Sequence, residues 1–419
     1  MRVRTRPAGR RLALVDRPGQ TLSVAFVIGP VEVPAADDLR TALRRFAAVR
    51  PEHPFFRLVD TSSGRWLPLE RGALDAHCAE LVVEGVSPAG DPGRVATAAL
   101  GVDRGSRPGL LLLGRDTVTV VFTHALGDAA SVNGLTAELL VAAVENRAPL
   151  APTRGLTRLA LPRALGRLYG RHPRLVADLV ASNRPRPDAG AERSPAAPSP
   201  RRVVAARSEP GFLAELRERR RAAGFDASTA AVVFAASARR VADAGLLEPR
   251  TLSVLVDCRR YLPPGAAVEG NFATAITLAP ADPGSPEAVA AELQAAIAVG
   301  RPLAALALGG IRAGHTAPRP AAPTLAVNHL GGLCSCESVP WRGDPSGWRY
   351  VNGSTALNPG ELSLGFHGLG GALHVAASFD PSRFRPETVA AVVDDLCSEP
   401  GGLLESPRGR RRALACSPR

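Results

Sequence analysis

An α/β fold of the α+β kind, in two lobes that each carry a mixed sheet with flanking helices, is predicted by three features of this sequence. Strand-length runs rich in β-branched and apolar residues recur along the whole chain, between segments with helical periodicity. Both halves contain both kinds of segment, so neither is all-helical or all-strand. Between them, residues 183–202 run Asn-Arg-Pro-Arg-Pro-Asp-Ala-Gly-Ala-Glu-Arg-Ser-Pro-Ala-Ala-Pro-Ser-Pro-Arg-Arg, whose five prolines and small residues cannot bury a core and read as a linker. The expected organisation is an N-terminal lobe over 1–183, a Pro-rich linker over 184–202, a C-terminal lobe over 203–400 and a basic, disordered tail over 401–419.

In chain order, Leu22 to Ile28 predicts the first strand. The segment after Pro34 predicts an amphipathic helix with Leu39, Leu43 and Phe46 on one face, its first turn favoured by Asp37 and Asp38. Val49-Arg50-Pro51-Glu52-His53-Pro54 stops that helix, and Phe55 to Val59 predicts a second strand. Leu110 to Leu113 and Thr117 to Phe122 predict paired strands about the turn Gly114-Arg115-Asp116. Beyond the linker come strands at Val203 to Ala206, Leu252 to Val256, Ala273 to Thr277, Thr324 to Val327 and Ala372 to Ser378. Helices are expected at Phe212 to Ala223, Ser228 to Val241 and Pro286 to Val299.

The chemistry concentrates where Thr117 to Phe122 gives way to Thr123-His124-Ala125-Leu126-Gly127-Asp128, at the head of an Ala- and Leu-rich helix running to about Asn146. A packed strand fixes its backbone while the following loop leaves a side chain reachable, and imidazole is the group best suited to proton transfer near neutral pH. On the residues alone, either His124 is that group, or it ends the strand as a hydrogen-bonded core residue and Asp128 is only a helix N-cap.

Composition removes several classes. With 45% hydrophobic and 21% charged residues, the 419-residue chain is globular and long enough for two sizeable cores. The 51 basic residues are all arginine and exceed 39 acidic ones by 12, yet they are spread along the chain with only 4% aromatics, so a nucleic-acid binder is not expected. An arginine-rich surface suits an acidic carrier protein or coenzyme phosphates better. Cys78, Cys258, Cys334, Cys336, Cys397 and Cys416 are too scattered for a disulfide framework, the basic start leads into no apolar run, and no stretch approaches the length of a membrane span. A cytoplasmic protein is expected. Cys334-Ser335-Cys336 with His329 lacks zinc-site spacing, and Gly309-Gly310 and Gly368 to Gly371 follow no phosphate-loop pattern, so neither a metal nor a bound cofactor is expected. His53, between prolines, and His367 and His374, in a strand-like region, are expected to be structural.

Thr123-His124-Ala125-Leu126-Gly127-Asp128-Ala129, with Ser131 just after, is followed by further segments in a suggestive order. These are Ala223-Gly224-Phe225-Asp226-Ala227-Ser228-Thr229, Val256-Asp257-Cys258-Arg259-Arg260-Tyr261-Leu262-Pro263, Gly270-Asn271-Phe272, Val327-Asn328-His329-Leu330-Gly331, and Gly371 to Ala376 before Phe379-Asp380. With the helix and turn over Leu39 to Arg57, they resemble the superfamily of chloramphenicol acetyltransferases, peptide-synthetase condensation domains, polyketide-associated acyltransferases and wax-ester synthases. Its signature is His-His-x-x-x-Asp-Gly, and the likeness covers about residues 20–395. Thr123 stands at the first histidine, and Ala129 at the glycine, whose backbone freedom alanine lacks.

The resemblance implies direct acyl transfer, with donor and acceptor meeting in a tunnel between the lobes and no acyl-enzyme. His124 would be the general base, and Asp128 would pair with Arg259, or failing that Arg260, to hold the loop. Asn328 would be a supporting or oxyanion-side donor, and Ser131 an oxyanion donor or a cap. No cofactor is implied beyond acyl-CoA or a phosphopantetheine-bound acyl group as co-substrate, with an alcohol or amine acceptor, a monomeric state, and a place in lipid or natural-product assembly. A wax-ester or diacylglycerol type synthase is the long-chain variant of this reading. The alternative is a catalytically silent condensation-like module that binds a carrier protein or partner.

Overall fold

The computed structural model describes residues 9–85, 90–150, 159–182, 201–312, 323–355 and 360–404. The strands of the first half are β1 (Arg10–Arg11), β2 (Ser23–Gly29), β3 (Arg57–Asp60), β4 (Arg65–Pro68), β5 (Val82–Glu84), β6 (Gly109–Leu113) and β7 (Val118–Thr123). Those of the second are β8 (Arg202–Arg207), β9 (Leu252–Asp257), β10 (Ala273–Leu278), β11 (Thr324–Gly332), β12 (Arg349–Ser354), β13 (Glu361–Leu369) and β14 (Ala372–Phe379). They form a small antiparallel sheet, β1-β4-β3, and two large mixed ones. The N-terminal lobe carries β12-β2-β7-β6-β5, parallel only between β5 and β6. The C-terminal lobe carries β10-β9-β11-β13-β14-β8, with β11 parallel to both neighbours.

The strand that leads to His124 lies in the middle of its sheet, and all six of its residues are buried. Side chains alternate across a strand, so the two faces of β7 meet different partners. Val118, Val120 and Phe122 join Leu39, Leu43 and Phe46 of the helix Ala36–Val49, while Val121 packs with Ala99, Leu110 and Leu112. Leu39, Leu43 and Phe46 are fully enclosed, and truncating any of them to alanine removes about 2 to 5 kcal/mol of stability. A strand covered on both faces has no polar side, which is why this run contains no charge. One predicted strand begins late. Pro54–Phe56 is a 3-10 turn because His53 Nδ1 accepts the Phe55 N–H at 3.2 Å, and β3 starts at Arg57.

The seam between the lobes is built by β12, which belongs to the second half of the chain but completes the first lobe's sheet beside β2. Its other edge faces β14 and β13, and side chains from those strands meet its backbone and side chains. Tyr350 N donates to His374 Nδ1 at 3.3 Å, Ser354 N donates to Ser378 Oγ at 3.2 Å, and His367 Nε2 lies 2.8 Å from Asn352 Oδ1. An edge strand with open N–H groups invites pairing with another chain, and here side chains close part of that edge. The approach is tight. A Cβ on Gly353 would lie 2.5 Å from Val203 Cγ2, and one on Gly365 would lie 2.8 Å from Asn352 Oδ1.

Two predicted boundaries are corrected. Arg201 is buried and Arg202 pairs with Phe379, because the free edge of β14 takes up the chain there, so the described chain is already strand within the stretch assigned to the linker; residues 183–200 lie outside the described residues. The tail assigned to 401–419 starts later. Pro400–Leu404 is a short helix with Leu403 1% exposed, packed on the helices Phe212–Ala222 and Thr229–Asp243, and residues 405–419 lie outside the described residues. Among the described residues no single helix is long and apolar enough to cross a membrane.

Candidate active site

β7 ends at Thr123, and the chain turns at once. Leu126 N donates to Thr123 O at 2.8 Å, and Thr123 Oγ1, fully enclosed, donates to Gln20 O at 3.1 Å. A threonine at the signature's first histidine therefore serves as a turn anchor. His124 N donates to Leu22 O at 2.8 Å, which ties the residue to the start of β2. Behind it sits Gly19, where a Cβ would lie 2.9 Å from both His124 C and Cβ, so only glycine lets this loop rest on the histidine.

His124 is half-buried. Burial pushes its imidazole below the ordinary histidine value, opposed by the Asp128 charge. A ring held neutral at pH 7 has a bare nitrogen and can accept a proton.

Asp128, 5% exposed, is saturated with donors. It caps the helix Ala129–Val144 by accepting Ser131 N–H at 3.1 Å on Oδ1, and Phe272 N–H reaches Oδ2 at 3.0 Å. Arg259 binds it through both oxygens, Nη1 to Oδ2 at 2.7 Å and Nη2 to Oδ1 at 3.2 Å. The same guanidinium reaches Ser131 Oγ at 3.2 Å, Val268 O at 3.0 Å and Gly270 O at 3.3 Å. Burial opposes the Arg259 charge, but the adjacent Asp128 carboxylate and its hydrogen bonds outweigh it and raise the pKa. The carboxylate's lone pairs are thus taken, and the pair braces the loop between lobes. Arg260 is exposed, and its Nε donates to Asp257 O at 3.2 Å; among the described residues no hydrogen bond joins it to Asp128. Ser131 Oγ donates to Gly270 O at 3.1 Å, so this hydroxyl is spent on the brace. Ala129 opens the helix with no positive φ, so the missing glycine brings no strain.

Asn328 lies on β11 opposite Gly365, half-buried, and among the described residues no hydrogen bond joins it to His124, Asp128 or Arg259. Sequence reasoning missed two residues that do touch the histidine loop. Asn271 Nδ2 donates to His124 O at 2.5 Å, and Asp16 Oδ1 accepts from Asn271 Nδ2 at 3.1 Å and from Asn271 N at 3.3 Å. Burial pushes the Asp16 carboxyl up to about 6, against the pull of those bonds. Asn271 stood inside the Gly270-Asn271-Phe272 segment as an unassigned position. Asp16 carried no signal, since a turn before Arg17-Pro18-Gly19 accounts for an aspartate there without any partner.

Two mixed-sheet lobes, bridged at a strand-end histidine, define a fold of the condensation-domain and chloramphenicol-acetyltransferase kind. Among solved structures it is similar to the TRI3 trichothecene 15-O-acetyltransferase from Fusarium sporotrichioides, with a TM-score of 0.63 and 11% identity over 94% of this chain and 95% of that one. The first condensation domain of the CDA synthetase matches at 0.59 and 18%, over 97% of this chain and 98% of that one. The nonribosomal peptide synthetase FmoA3 matches at 0.61 and 20%; the alignment covers 95% of this chain, which spans only 44% of that protein. At these identities the likeness establishes the fold. No protein-family model and no curated protein sequence matches the chain.

Proposed function

We propose that the protein is an acyltransferase that moves an acyl group from a CoA or carrier-protein thioester to an alcohol or amine in natural-product or lipid assembly, with His124 as general base. The observation that carries this reading is a neutral, half-buried imidazole at the end of a central strand, on a loop braced by Asp128 and Arg259 from opposite lobes. In that reading the imidazole takes the proton of the acceptor as its oxygen or nitrogen attacks the thioester carbonyl. The C–S bond breaks as the tetrahedral intermediate collapses, and the imidazolium returns the proton to the departing thiolate. Catalysis is otherwise positioning, with donor and acceptor entering a cleft between the lobes. Asn328, which is outside the Asp128 brace, is the proposed oxyanion-side donor. An acetyltransferase and a condensation domain share the fold, which agrees with acyl transfer without naming substrates.

The test is release of free thiol from a panel of acyl-CoAs and acyl-phosphopantetheine thioesters, with small alcohols and amines as acceptors. Release that requires an acceptor and is lost in His124→Ala is expected. Binding of an acyl carrier protein without any turnover would replace this reading by that of a silent condensation-like module.

A further inference from the structure

Two arginines from different lobes converge on one turn at the seam. Arg207 ends β8 in the C-terminal lobe's sheet, and Arg349 opens β12, which completes the N-terminal lobe's sheet. Arg349 Nη1 donates to Ser346 O at 3.2 Å, Gly347 O at 2.9 Å and Trp348 O at 3.0 Å, while Arg207 Nη1 donates to Pro345 O at 3.5 Å. The turn is held in place by Trp348, which stacks on Trp341 with ring centroids 4.8 Å apart.

Neither guanidinium forms an ion pair among the described residues, and Glu209, two positions beyond Arg207, is exposed. Burial, and then the Arg349 charge, push the Arg207 pKa below the ordinary arginine value, against the pull of Glu209. His374, the cross-strand partner of Arg207, is buried and uncharged at neutral pH, so it supplies no counter-charge. In both arginines only Nη1 is engaged. Nε and Nη2 make no hydrogen bond among the described residues and are not enclosed, so two half-buried guanidinium forks stay open. Such forks match the oxygens of a phosphate group, and an anion between them turns repulsion across the seam into attraction.

The strand register places this pair relative to the histidine. Arg349 pairs with Gly29, six positions along β2 from Ser23, whose partner Thr123 precedes His124. At about 3.3 Å per residue, that is roughly 20 Å along the sheet. A pantetheine arm, which separates thiol from phosphate in both CoA and a carrier-bound donor, extends over a comparable length. We propose that Arg207 and Arg349 form a phosphate-binding site across the seam, and that its ligand is the phosphate at the end of the donor's pantetheine arm. The choice of ligand rests on the acyl-transfer reading; the phosphate site itself does not.

The experiment follows thermal unfolding and calorimetric titration of the full chain at matched ionic strength in chloride buffer, with inorganic phosphate, phosphopantetheine and pantetheine as probes. Inorganic phosphate is expected to raise the thermal midpoint saturably, and phosphopantetheine to bind about tenfold or more tightly than either phosphate or pantetheine. Arg207→Gln, which gives up a single bond to the turn, is expected to abolish the phosphate response without lowering the midpoint in phosphate-free buffer, because a repulsion leaves with the charge. Arg207→Lys, which keeps the charge but not the fork, is expected to retain part of the response. In an acyl-transfer assay Arg207→Gln is expected to raise KM for the acyl donor more than it lowers kcat. The absence of a saturable phosphate response, or an undiminished response in folded Arg207→Gln, overturns the site. Phosphopantetheine that binds no better than inorganic phosphate overturns the choice of ligand. A phosphate response lost in Arg207→Gln, in a protein that turns over no thioester, sinks the acyl-transfer reading and leaves the phosphate site standing.

Discussion

The two residues of the signature that this chain keeps do different work, and substitution separates them. His124→Ala is expected to lower acyl-transfer turnover by about two to four orders of magnitude, because it removes the base, while thermal unfolding stays near wild type since no charge loses a partner. Asp128 and Arg259 show the opposite pattern. Each single alanine variant strands a largely buried charge, and a loss of about 3 to 5 kcal/mol is expected in denaturant unfolding. Asp128→Ala is expected to be the worse of the two, since Ser131 N and Phe272 N lose their acceptor as well. The double variant is expected to lose less than the sum, and the size of that coupling measures the pair. Strict additivity would mean that the bidentate contact contributes nothing.

Among the elements, the loop Arg17–Gly19 controls where His124 sits. Gly19→Ala places a Cβ 2.9 Å from two atoms of the histidine, so the ring is expected to move with the loop, and a displacement of about 1 Å can lower turnover a hundredfold. Steady-state kinetics beside a melting curve test this, with kcat expected to fall further than stability alone explains. The strand and helix that frame this loop were legible in the sequence, because Val118 to Phe122 is a β-branched and aromatic run without a charge and Asp128 stands at the head of an Ala- and Leu-rich helical pattern. The helix Ala36–Val49 was equally plain from the spacing of Leu39, Leu43 and Phe46. Elements whose pattern depends on the partner lobe were not. β13 carries Gly365, Gly368 and a buried His367, residues that argue against a strand until the close approach of Asn352 explains the glycine at 365. The helix Arg301–Arg312 begins with Arg-Pro and contains two adjacent glycines, which hides its periodicity. At the site, the Asp128–Arg259 contact followed from the resemblance, whereas Asp16 could be found only once the fold had brought it to Asn271, 255 positions further along the chain.

For the whole molecule, acid is expected to loosen the structure, partly at the seam between lobes. Burial pushes His367 and His374 down to about 3 and His53 down to about 4, while unfolded histidine titrates near 6.5. Between those values the unfolded chain binds protons that the folded one refuses, so stability is complete above about 6.5 and falls as pH drops toward 4. Asp16 works the other way: its folded carboxyl titrates near 6 against 3.8 unfolded, so its contribution is present at low pH and lost as pH rises through 6. Three histidines less one aspartate leave up to about two protons, or roughly 2.7 kcal/mol per pH unit from these groups. Urea unfolding at pH 7, 6 and 5 measures the slope, and His374→Gln is expected to reduce it by about one proton. The same seam has a genetic consequence. Because β12 is encoded in the second half but seats in the first half's sheet beside β2, a gene cut within residues 183–200 yields two polypeptides of which the first lacks its edge strand. Produced alone, that fragment is expected to aggregate through the bare edge of β2; produced together, the two are expected to reassemble without a covalent link, with β12 as the clasp.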